Sequence, residues 1–106
     1  MTHVQVPEQL LRSVVAYFRP RRVILFGSRA RGEAGPDSDI DLLVVLDDDA
    51  PPEKFNWRAA YEARRDFHDS VDILMCRDST YQDERRIIGS LPHTADAEGI
   101  VVYETA

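Results

Sequence analysis

Apolar residues recur along the chain with two periods, one typical of helices and one typical of strands. Between Pro7 and Phe18 they fall three and four residues apart, which predicts an amphipathic helix that Pro20 ends. Short β-branched or apolar runs predict strands at 22–26, 39–46, 71–76 and 100–103. Longer amphipathic stretches predict helices at 53–69 and 79–91.

Strands that alternate with helices predict an α/β (α+β) fold in which a mixed sheet is flanked by helices. A chain of 106 residues has room for one compact domain, so we expect a single small domain over 1–106. Trp57 and Tyr61 lie on an aromatic and alanine face of the helix predicted at 53–69, and we expect them to pack in the core. Residues 28–32 can form a short helix directly after the first strand.

Composition and charge exclude several classes of function. The formal net charge is −6, which leaves no basic surface for nonspecific binding of DNA or RNA. The longest apolar runs are far too short to span a membrane, and the first residues lack a signal-peptide core, so we expect a soluble cytoplasmic protein. The single cysteine, Cys76, excludes an internal disulfide and is interpreted as a buried structural thiol rather than a nucleophile.

Two aspartates interrupt an otherwise apolar strand. Asp39 and Asp41 are two residues apart, so they point to the same face while Ile40, Leu42 and Val44 face the core. Carboxylates about 6–7 Å apart repel by about 2–3 kcal/mol at an effective dielectric constant near 20, and a bound divalent cation removes that cost. If the next strand lies alongside, Asp72 adds a third carboxylate, an all-oxygen donor set that suits Mg²⁺.

Alternative interpretations of these acids remain open at this point. Asp39 and Asp41 can be the polar face of an exposed edge strand, and Asp72 alone can be a surface residue. A calcium-binding EF-hand loop starting at Asp37 is excluded because Leu42 replaces the required glycine and Asp48 replaces the bidentate glutamate. The acidic run 47–49 is interpreted as a solvated loop without chemistry.

Gly27 and Ser28 follow a strand and precede a possible helical turn, a position where free backbone N–H groups favour an anion such as phosphate. Gly27 lets the backbone approach closely, and Ser28, Arg29 and Arg31 are candidate donors to phosphate oxygens. Gly-Ser alone is weak evidence. The chain has neither the P-loop nor the Rossmann glycine pattern.

Two motifs together carry a family resemblance: GSRARG at 27–32 and SDIDLLV at 38–44, whose serines are ten residues apart. In combination they resemble the signature of the DNA polymerase beta-like nucleotidyltransferase superfamily. The resemblance is closest to its minimal nucleotidyltransferase branch and covers nearly the whole chain, with no motif position visibly broken.

The resemblance implies a role for each candidate site residue. Gly27 and Ser28 would hold the triphosphate of ATP, and Asp39 and Asp41 would bind Mg²⁺. Asp72 looks like the third family carboxylate, which completes the metal site and helps to activate the acceptor hydroxyl.

The resemblance also implies a partner, because minimal nucleotidyltransferases are commonly paired with a helical HEPN-type ribonuclease toxin. We therefore expect an antitoxin that transfers AMP from ATP to a tyrosine of such a toxin. Two alternatives are a noncatalytic antitoxin that inhibits its partner by contact, and an oligomeric nucleotidyltransferase that modifies a small molecule such as an antibiotic.

Overall fold

The computed structural model describes residues 6–32 and 39–105. The helices are α1 (Glu8–Phe18), α2 (Trp57–Ala63), α3 (Asp78–Glu84) and α4 (Leu91–Glu98). The strands are β1 (Arg22–Phe26), β2 (Ile40–Leu46), β3 (Val71–Arg77) and β4 (Ile100–Glu104). All four predicted strands are confirmed, with bounds that differ by at most one residue.

The strands form a single mixed sheet in the order β3-β2-β1-β4. β1 is antiparallel to both β2 and β4, whereas β3 runs parallel to β2. The parallel pair is connected through α2, as parallel strands require a crossover. The predicted α/β fold with a mixed sheet and flanking helices is therefore confirmed.

The alternation of side chains along β2 divides the core into two layers. Leu42 and Val44 pack on one face of the sheet with α1 and α2, and Leu43 and Val45 pack on the other with α3 and α4. Each fully buried aliphatic side chain of this kind stabilises the fold by about 1.5–3 kcal/mol. Asp41 shares its face with Leu43, which places it on the side of α3 and α4.

The helix predicted at 53–69 is shorter than expected. Residues Pro52–Phe55 form a 3-10 turn, and α2 then begins after Asn56, whose side chain accepts a hydrogen bond from the Ala59 N–H at 2.9 Å. The prediction that Trp57 and Tyr61 pack in the core is wrong, because they are 75% and 54% exposed. The buried face of α2 consists of the small residues Ala59 and Ala63, which let the helix approach the sheet closely and turn the rings outward.

Two further helical predictions are corrected. The segment 79–91 contains a break between α3 and α4 at Gly89, which has a φ of 95° that disfavours any residue with a side chain. Residues 28–32 form turns rather than a helix, with hydrogen bonds from the Arg31 N–H to the Gly27 carbonyl and from the Gly32 N–H to the Arg29 carbonyl, each at 3.2 Å. Within the described residues, no helix is long and apolar enough to cross a membrane.

Candidate active site

The site begins with three aspartates at one end of the sheet. Asp41 is the second residue of β2 and Asp72 the second residue of β3, and the parallel pairing sets them directly opposite each other. Neighbouring strands lie about 4.8 Å apart, so both carboxylates occupy adjacent positions on the same face. Asp39 lies just before β2, exposed, and its position two residues before Asp41 places it on that face as well.

Gly27 brings the backbone of the first turn against this acidic face. Phe26, the last residue of β1, pairs with Asp41, and the chain then turns at Gly27 with a φ of 79°. A Cβ atom at Gly27 would collide with the Asp41 carboxylate. Glycine is therefore required here both by the backbone conformation and by contact with a candidate metal ligand.

The electrostatics of the site converge on Asp41. Its pKa is raised above the usual aspartate value, first because the side chain is partly buried, then because Asp72 and Asp39 carry like charges nearby. Within the described residues, none of these three aspartates forms an ion pair. The site is thus a concentration of negative charge that a cation would stabilise.

The turn after Gly27 carries the remaining candidate residues. Ser28 and Arg29 are both half-buried, and the turn is closed by hydrogen bonds from the Arg31 and Gly32 N–H groups. The Arg31 side chain forms an ion pair with Glu98 at the end of α4, with 3.2 Å between Nη1 and Oε1. Both side chains are partly exposed, at 42% and 43%, so this ion pair contributes little to stability.

The three carboxylates lie on one face of the sheet, but they do not by themselves surround a point at which a metal ion could bind. Among residues 6–32 and 39–105, no three histidine, cysteine, aspartate or glutamate side chains lie close enough together to enclose a metal ion. The acids supply one side of an oxygen-rich site, and phosphate oxygens of a bound nucleotide are the natural source of further ligands.

A groove beside Asp72 was not predicted from the sequence. It has a volume of about 520 Å³ and follows β3, with Trp57 and Tyr61 of α2 on one side and Leu91 of α4 on the other. The sequence of α2 does not predict the groove, because two aromatic residues four positions apart normally lie on the buried face of a helix.

Cys76 lies on β3, is half-buried, and packs against the core layer that contains Leu43 and Val45. Burial raises the pKa of its thiol to about 11, with Glu84 and Asp78 adding to the shift. The thiolate is scarce at neutral pH, which agrees with the interpretation of Cys76 as a structural residue and not a nucleophile.

The fold and the site together define a class of protein. It is an α/β domain with a glycine turn and paired strand carboxylates at one end of the sheet. The family model described as "Nucleotidyltransferase domain" matches residues 7–96. The chain therefore belongs to the nucleotidyltransferase domain family, as the two motifs predicted. No curated protein sequence matches it.

Solved structures share the fold at low sequence identity. A toxin–antitoxin solved with AMP-PNP has 19% identity and a TM-score of 0.62, over 94% of this chain and 75% of that chain. A candidate nucleotidyltransferase from Sulfolobus solfataricus has 24% identity and a TM-score of 0.58, over 91% of this chain and 75% of that one. A mutant of the toxin–antitoxin MntA–HpeT, with two aspartates changed to glutamates, has 18% identity and a TM-score of 0.57 over 94% and 75%.

Proposed function

We propose that this protein transfers AMP from ATP, with Mg²⁺, to a tyrosine hydroxyl of a helical HEPN-type toxin and thereby acts as its antitoxin. The observation that carries the proposal is the pairing of Asp41 with Asp72 beside the Gly27 turn. The Gly27 turn, which we propose binds phosphate, therefore lies next to the carboxylates that we propose bind Mg²⁺. Membership of the nucleotidyltransferase domain family supports the reaction class.

The donor set fits Mg²⁺ by its chemistry, since Asp39, Asp41 and Asp72 offer only oxygen ligands. The raised pKa of Asp41 is consistent with this assignment, because partial burial and then the charges of Asp72 and Asp39 disfavour its ionised form, which a bound cation would stabilise. When bound, Mg²⁺ neutralises charge on the α-phosphate and the departing pyrophosphate. Gly27 and Ser28 hold the triphosphate through backbone N–H groups and the serine hydroxyl, with Arg29 and Arg31 as charged donors.

In the proposed step, the acceptor oxygen attacks the α-phosphorus of ATP and forms a new P–O bond. The bond from the α-phosphorus to the bridging α–β oxygen breaks, and pyrophosphate leaves with the electron pair. Asp72, on the outer strand of the site, accepts the hydroxyl proton, and Asp39 and Asp41 would hold the Mg²⁺ ion that offsets the negative charge of the phosphate.

A protein acceptor is supported by two observations. The net charge of −6 suits a basic, RNA-cleaving partner, because opposite charges speed and orient association. Two of the structural neighbours are toxin–antitoxins, one of them solved with the ATP analogue AMP-PNP. AMP addition to a tyrosine hydroxyl would replace a neutral group of the toxin by a bulky anionic one.

The proposal is tested by label transfer from α-labelled ATP in a lysate of the source cells, with Mg²⁺ or with chelator. Wild type is compared with Asp39→Asn, Asp41→Asn and the exposed loop control Asp49→Asn. We expect Mg²⁺-dependent label on one protein, reduced about a hundredfold or more in the two site variants and unchanged in the control. Mass spectrometry then identifies the labelled residue.

Two results would contradict the proposal. Normal labelling by the Asp41→Asn variant would contradict the proposed role of Asp41 as a metal ligand. Full neutralisation of the toxin by an Asp39→Asn/Asp41→Asn variant that still binds it would favour an antitoxin that acts by contact alone.

A further inference from the structure

β3 lies at an open edge of the sheet. Its seven residues pair with β2 in one continuous register, from Ile40↔Val71 to Leu46↔Arg77. In the described parts of the chain no strand pairs with its other side. The strand contains neither proline nor a bulge, two of the devices that protect an edge from pairing with another strand, and its charged residues are confined to Asp72 near its start and Arg77 at its end.

The groove beside Asp72 follows this open edge and is lined mainly by apolar side chains. Trp57, Tyr61 and Leu74 are 75%, 54% and 42% exposed, although they are among the largest apolar side chains of the chain. Among the described residues of the lining, Asp72 and Arg64 are charged. Such a surface has the character of a protein interface, and a single arginine beside an aspartate is too little positive charge for a nucleic-acid backbone.

The register of the sheet decides where an added strand would place its side chains. Asp41 and Asp72 lie opposite each other on one face, and a residue added opposite Asp72 would point to that same face. Its side chain would be the third in a row that begins with two candidate metal ligands. The next residue of the added strand would point to the other face, where Trp57, Tyr61 and Met75 line the groove.

We propose that the partner protein docks an extended, tyrosine-bearing segment as a fifth strand on the free edge of β3, with the tyrosine opposite Asp72. This inference rests on the proposed function and deepens it, because it states how the acceptor reaches the site. Backbone hydrogen bonds to β3 give affinity, and the aromatic side of the groove takes the apolar residues that alternate with the tyrosine. The hydroxyl then attacks the α-phosphorus as described above.

The occupant is a partner segment and not a second copy of this chain, on grounds of charge. Two copies would bring net charges of −6 together, whereas a basic partner is attracted. Single exposed apolar residues are ordinary, but Leu74 on β3 and the two exposed rings of α2 line one groove beside the acidic site, which is consistent with a docking edge.

The test uses the isotope-labelled full chain and a synthetic probe of about eight residues. The probe alternates valine with threonine around one central tyrosine and ends in lysines, and a matched probe carries proline beside the tyrosine. We measure amide protection and chemical-shift changes along β3, and AMP transfer to the probe with Mg²⁺ and α-labelled ATP. We expect protection at the β3 amides that face away from β2, and none with the proline probe.

Variants separate the groove from the rest of the surface. Trp57→Ala/Tyr61→Ala removes two exposed rings, and we expect the probe to bind at least about tenfold more weakly. Ile100→Ala/Val101→Ala removes two exposed apolar residues from β4 at the opposite edge, and we expect unchanged binding. Thermal unfolding and Mg²⁺–ATP binding verify that each variant is folded.

The outcomes distinguish this inference from the proposed function. Binding at β3 without AMP transfer supports the docking edge and contradicts the transfer reaction. Transfer without protection of β3, no binding at β3, or equal binding by the Trp57→Ala/Tyr61→Ala variant overturns the docking edge. Amide protection of β3 in the unliganded chain, together with a dimeric mass, would instead assign the edge to a second copy of the chain. A chemical-shift change of Trp57 on addition of ATP alone would assign the groove to the nucleotide base.

Discussion

At the scale of single residues, Asp41 is where packing and charge meet. It pairs with Asp72, follows Asp39 by two positions and lies against the Gly27 turn. Its raised pKa means that the folded chain binds a proton at Asp41 more tightly than the unfolded chain does. Ionisation of Asp41 therefore opposes folding, and the free energy of unfolding falls as pH rises from the ordinary aspartate pKa through the higher folded value.

This sign gives a prediction for metal-free protein. At pH 7 the penalty of ionised Asp41 is fully present, so Asp41→Asn should be more stable than wild type in urea unfolding. The difference should vanish as the pH falls below the ordinary aspartate pKa, where Asp41 is protonated in both the folded and the unfolded chain. Added Mg²⁺ should raise the unfolding midpoint of wild type more than that of the variant. Asp49→Asn, in the exposed loop after β2, is the control, and an equal gain in stability there would contradict the explanation.

Gly27 and Gly32 form a matched pair for a second prediction. Both have positive φ, at 79° and 76°, but a Cβ at Gly27 would meet Asp41, whereas no atom of residues 6–32 and 39–105 lies within 4 Å of a Cβ at Gly32. Gly32→Ala should lower the free energy of unfolding by about 1 kcal/mol, the cost of left-handed backbone in a residue with a side chain. Gly27→Ala should cost more and should reduce AMP transfer about a hundredfold, because it displaces a site carboxylate.

Unfolding curves and transfer rates of the two variants measure the difference. Equal loss of stability and activity at Gly27 and Gly32 would mean that the contact with Asp41 has no role beyond backbone conformation.

At the scale of elements, the sequence predicts strands better than helices. β1, β2 and β3 are continuous apolar runs bounded by glycine, proline or charged residues, so their limits are visible. The neighbouring position of Asp41 and Asp72 depended on an assumption about strand order, which periodicity does not contain. Burial of Trp57 and Tyr61 was predicted wrongly because the alanines of α2, and not its large side chains, face the sheet.

The boundary between α3 and α4 was also not predicted, and Ser90 connects the two helices across it. Ser90 Oγ accepts a hydrogen bond from the His93 N–H at 3.1 Å and donates one to the Glu84 carbonyl at 2.6 Å, which joins the two helices. Ser90→Ala should therefore lower the free energy of unfolding by about 1–2 kcal/mol in urea unfolding. Ser79→Ala, an exposed serine in α3, should change it by less than about 0.5 kcal/mol. Equal effects would contradict a capping role for Ser90.

At the scale of the whole molecule, the two ends of the sheet differ in charge compensation. Arg22, at the start of β1, forms ion pairs with Asp78 at 3.6 Å and Glu104 at 3.0 Å. At the other end of the same sheet, Asp39, Asp41 and Asp72 have no cationic partner within the described residues. One end is thus stabilised internally, and the other carries uncompensated negative charge that a cation would stabilise.

The central claim is that this end of the sheet transfers a nucleotidyl group. The most direct test incubates purified chain and its partner with Mg²⁺ and ATP labelled either at the α- or at the γ-phosphate, for wild type and Asp41→Asn. We expect covalent label on the partner from α-labelled ATP only, together with released pyrophosphate, and the loss of both in the Asp41→Asn variant. Covalent label from γ-labelled ATP, or α-label that persists in Asp41→Asn, would contradict it.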